Sequence, residues 1–588
     1  MKRTISVWSL FALGWALVLA GGLLAHLIQT ADGVSVREVS YPGASGETLS
    51  ALLYIPPHVS AAAPAPAILA SHGYINTREM QSPFAIELAR RGFVVLAMDM
   101  AGHGASGGAV GTDDGGGPDS LRYLQSLPFV NRNEIGLEGH SMGGVPVVGA
   151  ALAQPTGYIS MVLEGSTLPE AGQMGAPSPA FPRNVQVVFG RYDEFAPLMW
   201  HEPKGAAVGA SPKMRALFGQ TAPVQAGEIH GNIAAGTARR LIIPPVTHPM
   251  EHFSAAGVGA AIDWFQLTLK GEASPRPPGE QIWFWKDIGT LISLIGFVVL
   301  VLGAFHALAP RLMVVAPQTP VAKGLDARWW AALAATTAIP ALTYYPLMGL
   351  GFAFLPSRLF PEWVTNQLVV WVLANAAIGL LVSLILPRGE RRQGGAQLKP
   401  ALLAGASVAV GYLAIVVTDA LFKTDFRFWV VALRPLDGRH ALYALSYLPL
   451  LLIAFLAMQR GLVGLVASRS SAAGQYAAGI LAMSAGFIVL LAIQYASLMT
   501  TGLLASPAEA LNTIIAIQFV PILAFVGLVG VFSWRRTGGF VAGAVICALV
   551  VTWYITAGTA THWHPGWTVP HNAGLFPDRP ATVAKPPA

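Results

Sequence analysis

From residue 287 to residue 558 the chain runs through successive segments of about bilayer length with almost no charge inside them, near 287–309, 329–351, 365–386, 400–421, 440–458, 475–500, 510–533 and 539–558. Apolar runs of roughly 20 residues leave a chain little choice, because in lipid the backbone polar groups must be satisfied within the segment, and a helix does this. Residues 5–28 form another such run directly after Lys2 and Arg3. A cleaved signal peptide, the alternative, has an apolar core of only about 7–15 residues, so this longer run is expected to remain as an anchor. Either reading places the residues that follow outside the cytoplasm.

Loop charge tests that order. With 31–286 outside, the cytoplasmic loops are 310–328, 387–399, 459–474 and 534–538, carrying Arg311, Lys323, Arg328, Arg388, Arg391, Arg392, Lys399, Arg460, Arg469, Arg535 and Arg536. The opposite loops 352–364 and 501–509 carry only Arg358, as the positive-inside rule requires. Loop 422–439 departs from it, with Lys423, Arg427, Arg434 and Arg439 partly balanced by Asp419, Asp425 and Asp437. The net charge of +6 is spread over such loops rather than gathered in a stripe, so no nucleic-acid partner is expected. A content of 54% hydrophobic and 11% charged residues likewise excludes a wholly soluble chain, and the single Cys547 excludes an intrachain disulfide.

Between about 31 and 271 the texture changes to short β-type runs alternating with helical stretches, the pattern of a mostly parallel sheet with helices on both faces. Val34 to Tyr41 and Thr48 to Ile55 read as an opening hairpin. The runs 67–71, 93–98, 134–138, 159–164, 185–189 and 241–244 supply further strands, with helices over 83–91, 119–126, 144–153 and 254–269. The expected organisation is therefore an anchor (1–30), an α/β domain (31–271), a Pro-rich linker (272–286), an all-α polytopic membrane domain of about eight helices (287–558) and an outer tail (559–588). There is no strong internal repeat to support a transporter built from inverted halves.

Within the α/β domain, Glu138-Gly139-His140-Ser141-Met142-Gly143-Gly144 lies between a predicted strand and a predicted helix and matches G-x-S-x-G, the corner that lifts a serine hydroxyl into the open. The Met142 N–H at the start of the following helix lies where an oxyanion would form. A serine hydroxyl needs a base, and the base needs an orienting carboxylate. In the chain order Ser, acid, His, the acid is Asp193 beyond the strand 185–189, with Glu194 as fallback. The base is His248 at the exit of the strand 241–244, with His252 as the alternative. Upstream, Ser71-His72-Gly73-Tyr74 leaves another strand, and its glycine lets the Tyr74 N–H join Met142 as the second oxyanion donor. Asp99 to Ser106 reads as a Gly-rich structural turn in which His103 is a pocket candidate, as are His72, Gly73 and His140. The tail cluster Thr561-His562-Trp563-His564 with His571 lacks acid or Cys ligands, so no metal is expected there.

The ordered set of His72-Gly73, Asp99 with Gly102-His103-Gly104 and Ser106, the elbow Gly139 to Gly143, Asp193 and His248 resembles the α/β-hydrolase superfamily, and within it the dienelactone-hydrolase, acetyl-xylan-esterase and prolyl-oligopeptidase-like serine hydrolases. The likeness covers about residues 31–271. It implies a cofactor-free serine hydrolase that cleaves an ester, thioester or amide through an acyl-serine. Acyl transfer and peptidase chemistry share that machinery, and a transporter or receptor with a hydrolase-like binding module is the reading from another class. The expected setting is a bacterial-type cytoplasmic membrane, crossed several times, with the hydrolase domain on the extracytoplasmic face and membrane lipids around the spans. Where many superfamily members carry a helical cap, this chain has only the loop-like Gly165 to Asn184. Outer-loop aromatics Trp363, Phe426, Phe428 and Trp429 are therefore candidates for presenting a lipid-like ester.

Overall fold

A computed structural model describes residues 8–271, 274–312, 326–385, 398–467 and 471–565. Lys2, Arg3, Lys323, Arg388, Arg391, Arg392, Arg469 and His571, singled out from the sequence, lie outside the described residues, as do 272–273 of the linker. The described residues divide into two compact units, the first drawn from 28–284 with 560–565 and the second from 8–27 with 285–559.

The first unit is built on a nine-stranded sheet. Its strands are β1 (Ser35–Pro42), β2 (Thr48–Ile55), β3 (Ala65–Ser71), β4 (Val94–Met98), β5 (Val130–His140), β6 (Ser160–Glu164), β7 (Val185–Val188), β8 (Ile229–His230) and β9 (Arg239–Ile242), in the order β1-β2-β4-β3-β5-β6-β7-β9-β8. The run from β4 to β9 is parallel, while β1 and β2 at one end and β8 at the other pair antiparallel with their neighbours. Strands covered on both faces read as unbroken apolar runs rather than as alternation, and Ala67-Ile68-Leu69-Ala70 of β3 shows why. Ala67 and Leu69 join the layer of Leu121, Leu124, Val147 and Val148, whereas Ile68 and Ala70 join Phe84, Leu88, Val258 and Phe265 on the other side. Helices Gly117–Ser126 and Gly144–Ala153 thus cover one face, and Ser82–Ala89 and Ala255–Thr268 the other. Ser254 caps the last of these, its hydroxyl accepting from the N–H groups of Ala256 and Gly257. The two-residue β8 is too short to leave a signal in the sequence.

In the second unit, with the first helix counted, eight described helices are long and apolar enough to cross a membrane. Segment 329–351 forms two shorter helices, Ala327–Leu342 and Tyr344–Gly351. The break follows from Pro346, which lacks the N–H that would bond the Leu342 carbonyl and whose ring crowds it. Hydrogen bonds from Thr343 N–H to Ile339 and from Leu347 N–H to Thr343 carry the helical path across the break.

Helix Ser9–Gln29 packs on Trp283–Leu312 through glycines. A Cβ on Gly14 would stand 2.5 Å from Leu300 Cα, one on Gly21 2.4 Å from the Gly289 carbonyl, and one on Gly296 2.6 Å from the Val18 nitrogen. Such approach of backbones is the usual basis of helix association in lipid.

The basic loop 422–439 contains a hairpin of Phe426–Phe428 and Val431–Leu433. Two of its basic residues have acidic partners: Arg427 lies 2.6 Å from Asp425, with Lys286 3.9 Å away on the same carboxylate, and Arg439 lies 3.8 Å from Asp437. Two of the four aromatics assigned to an outer surface are instead buried, Phe426 against Phe297 and Trp363 edge-on to Phe352.

Candidate active site

β5 ends at His140, and a short turn, Ser141–Gly143, leads straight into helix Gly144–Ala153. Ser141 takes φ +55°, a left-handed conformation that a non-glycine residue adopts only where its surroundings impose it. The flanking glycines make the corner possible. A Cβ on Gly139 would fall 2.4 Å from the Gly143 carbonyl, and one on Gly143 2.2 Å from the Ser71 carbonyl. The Ser166 hydroxyl donates to the Ser141 carbonyl at 2.6 Å and fixes the corner from β6.

Loops leaving β7 and β9 at the same rim bring the remaining groups together. His248 Nε2 is 2.8 Å from Ser141 Oγ, and His248 Nδ1 is 2.8 Å from Asp193 Oδ2. Both Asp193 and His248 are buried. Asp193 also accepts the Phe195 N–H at 2.7 Å, and the Phe195 ring stands edge-on to His248 at 4.7 Å. Glu194, the fallback acid, serves the backbone, accepting the His248 N–H at 2.8 Å. Burial alone would lower the His248 pKa, but the adjacent carboxylates of Asp193 and Glu194 outweigh it and hold the imidazole above its ordinary value.

His252, the alternative base, is placed elsewhere. It is fully buried behind the sheet, 3.8 Å from the His140 ring and 5.8 Å from that of Phe84. Four residues beyond His248 and two before the N-cap Ser254, it has already turned back toward the helix Ala255–Thr268.

The His72-Gly73-Tyr74 run passes directly over Ser141, since a Cβ on Gly73 would meet Ser141 Cβ at 3.0 Å. His72 Nε2 accepts the Met100 N–H at 3.1 Å, so its Nδ1–H donates to the Gly73 carbonyl at 2.8 Å. Both ring nitrogens are thereby used in shaping the loop. His103 is buried in the Gly-rich turn, which Asp99 organises by accepting the N–H groups of Arg78 and Ala105. The His103 ring meets His72 and Tyr74 edge-on, at 5.3 and 5.9 Å.

The sequence reading passed over a polar layer behind the triad-like set. Glu138 and His140 on β5 share a face with Glu164 on β6, which pairs with His140 in register, and Glu251 joins them. Glu251 accepts the Gly190 N–H at 2.6 Å and lies 3.3 Å from His140 Nε2. Burial pushes all three carboxyls well above the usual range, with neighbouring acids adding to this at Glu138 and Glu251. Burial likewise holds His140 well below its ordinary value, and the adjacent His252 and His248 add to it. The signal was available as two acids in apolar strands, where an acid is rare. Ligand atoms of His140, His248 and Glu251 lie within 4.8 Å of one another. A cation bound there would have to draw His248 away from Ser141 and Asp193.

Sheet order, crossovers and the serine corner give the first unit the α/β-hydrolase fold. Residues 62–200 match the family model of the serine aminopeptidases, S33. No curated protein matches the chain. Similar solved structures include a hypothetical protein from Pseudomonas aeruginosa (17% identity, covering 41% of this chain and 95% of that one, TM-score 0.30). An esterase from Pyrococcus furiosus (14%, 40% and 92%, 0.30) and a dienelactone hydrolase-like promiscuous phosphotriesterase from metagenomic libraries (16%, 40% and 99%, 0.30) are others.

Proposed function

We propose that this protein is a membrane-integral serine hydrolase acting on an ester, thioester or amide. The observation that carries the reading is the unbroken chain from Asp193 through His248 to Ser141, both links at 2.8 Å, ending on a serine at φ +55°. Ser141 Oγ attacks the acyl carbon while His248 Nε2 takes its proton. Asp193 orients the imidazole and favours its charged form. The amides of Tyr74 and Met142 hold the oxyanion. His248 then returns the proton to the leaving alcohol, thiol or amine, and water attacks the acyl-serine by the same route, releasing a carboxylic acid.

In this reading the hydrolase unit lies on the extracytoplasmic face of a bacterial-type cytoplasmic membrane, and a lipid or other amphipathic ester is one substrate class it could take. A peptidase is the second reading, drawn from the description of the matched family. Labelling of the full-length protein with a fluorophosphonate tests the core of the proposal. The wild type is expected to label at Ser141 and Ser141→Ala to stay unlabelled; equal labelling would move the nucleophile elsewhere. Activity on long-chain esters against peptide amides then separates the two readings.

A further inference from the structure

Beyond the last apolar helix, Val541–Gly558, the chain joins the hydrolase unit at Ala560. Ala560 is buried in the same apolar layer as Met142 and Val147. The Thr561 N–H donates to the Gly102 carbonyl at 2.8 Å, and its carbonyl accepts the Val110 N–H at 2.9 Å, so the segment is stitched to the Gly-rich turn on both sides. His564 adds a contact with Glu47 at 3.5 Å. Between these anchors His562 is 1% exposed, its Nε2 2.8 Å from the Tyr74 hydroxyl and the two rings edge-to-face at 5.7 Å.

What this bond holds is a strained turn. Ile75, next to Tyr74, takes φ +55°, which for a β-branched residue is a severe departure and persists only where the surroundings fix it. One end of Gly73-Tyr74-Ile75 is fixed by His72 at the Gly73 carbonyl. The Tyr74 ring is its other handle, and His562 grips it.

We propose that His562 is a positioning residue: the segment after the last membrane helix holds Tyr74, and with it the oxyanion-binding backbone, in its working orientation. The inference rests on the serine-hydrolase reading above. A group that acts by aligning a donor changes the rate of the step in which charge develops on the oxygen, and leaves ground-state binding nearly untouched.

The test uses the full-length protein in detergent, with Ser141→Ala as control. The variants are His562→Ala, His562→Gln, Tyr74→Phe and the double variant His562→Ala/Tyr74→Phe. Two rates are read: the second-order rate of inactivation by a fluorophosphonate, and kcat and KM on a p-nitrophenyl ester per titrated active site. His562→Ala and Tyr74→Phe are each expected to slow both rates per titrated site about tenfold, with KM within about twofold, beyond any fall in thermal midpoint from the lost buried contact. The double variant should lose no more than either single one, because one bond is removed in all three. His562→Gln, which can still bond the phenol, should recover most of the rate. Unchanged rates per site in His562→Ala, losses that add in the double variant, or a fall confined to the thermal midpoint would each overturn the inference while labelling at Ser141 stands. Labelling of Ser141→Ala like the wild type would instead overturn the reading beneath it.

Discussion

The rim of the sheet and the helical unit are held together in opposite ways. At the rim, Ser141, His248, Asp193 and Glu194 are each tied to a named atom of a residue distant in sequence, at 2.8 Å. In the helical unit, what brings Ser9–Gln29 against Trp283–Leu312 is the lack of side chains, with glycines letting backbone meet backbone. Specific chemistry needs particular atoms in particular places, whereas cohesion in lipid needs only shape. The two regions should therefore fail differently under substitution, the first in rate and the second in stability.

The largest effects belong to the rim. Ser141→Ala should lower kcat on a p-nitrophenyl ester about 10⁵-fold with the thermal midpoint unchanged. Asp193→Asn should cost about 10⁴-fold, because an amide presents the wrong partner to His248 Nδ1–H. Glu194→Gln should cost about tenfold at most, since that carboxylate meets a backbone N–H that an amide oxygen can also accept. Equal losses for the two acids would erase the distinction between orienting the ring and holding its backbone.

Stability should break in the helical unit. Gly296→Ala would push a methyl to 2.6 Å from the Val18 nitrogen, where no side chain can yield, and is expected to lower the thermal midpoint in detergent by the equivalent of about 1–3 kcal/mol. Gly405→Ala, with nothing within 4 Å of the new methyl, should leave it level or raise it slightly. If both behave alike, close backbone approach is not what holds this unit.

Acid–base behaviour sharpens the contrast. In the proposed mechanism His248 must be neutral to accept a proton, and Asp193 and Glu194 hold its pKa above the ordinary value despite burial. The acid limb of kcat/KM should therefore have its midpoint above about 6.5. In Asp193→Asn the residual activity should show that limb displaced to lower pH.

Much of this was legible in the sequence because it depends on local pattern. The apolar strands, the G-x-S-x-G corner and the order of Ser141, Asp193 and His248 each follow from a few adjacent residues and one chain-order rule. What stayed hidden depends on pairing across the fold. His140 and Glu164 become neighbours only once β5 and β6 are in register, and Tyr74 and His562 meet across 488 positions. The break at Thr343 was in principle readable from Pro346, but hydropathy alone passes over it.

The smallest effect concerns the acids behind the rim. Glu164 is fully buried between strands, and burial raises its carboxyl pKa well above the usual range, so the folded protein keeps a proton that the unfolded chain releases near pH 4.3. Between the unfolded and the folded pKa the native state binds more protons, and stability falls as pH rises through that window. Glu164→Gln keeps the shape and removes the titration. Its thermal midpoint should match the wild type below about pH 4 and exceed it by a few degrees at pH 8, with a flatter dependence between. A variant less stable than wild type at pH 8 would mean that Glu164 is held there as an ion, and that the layer behind His140 is organised around charge rather than around protonated acids.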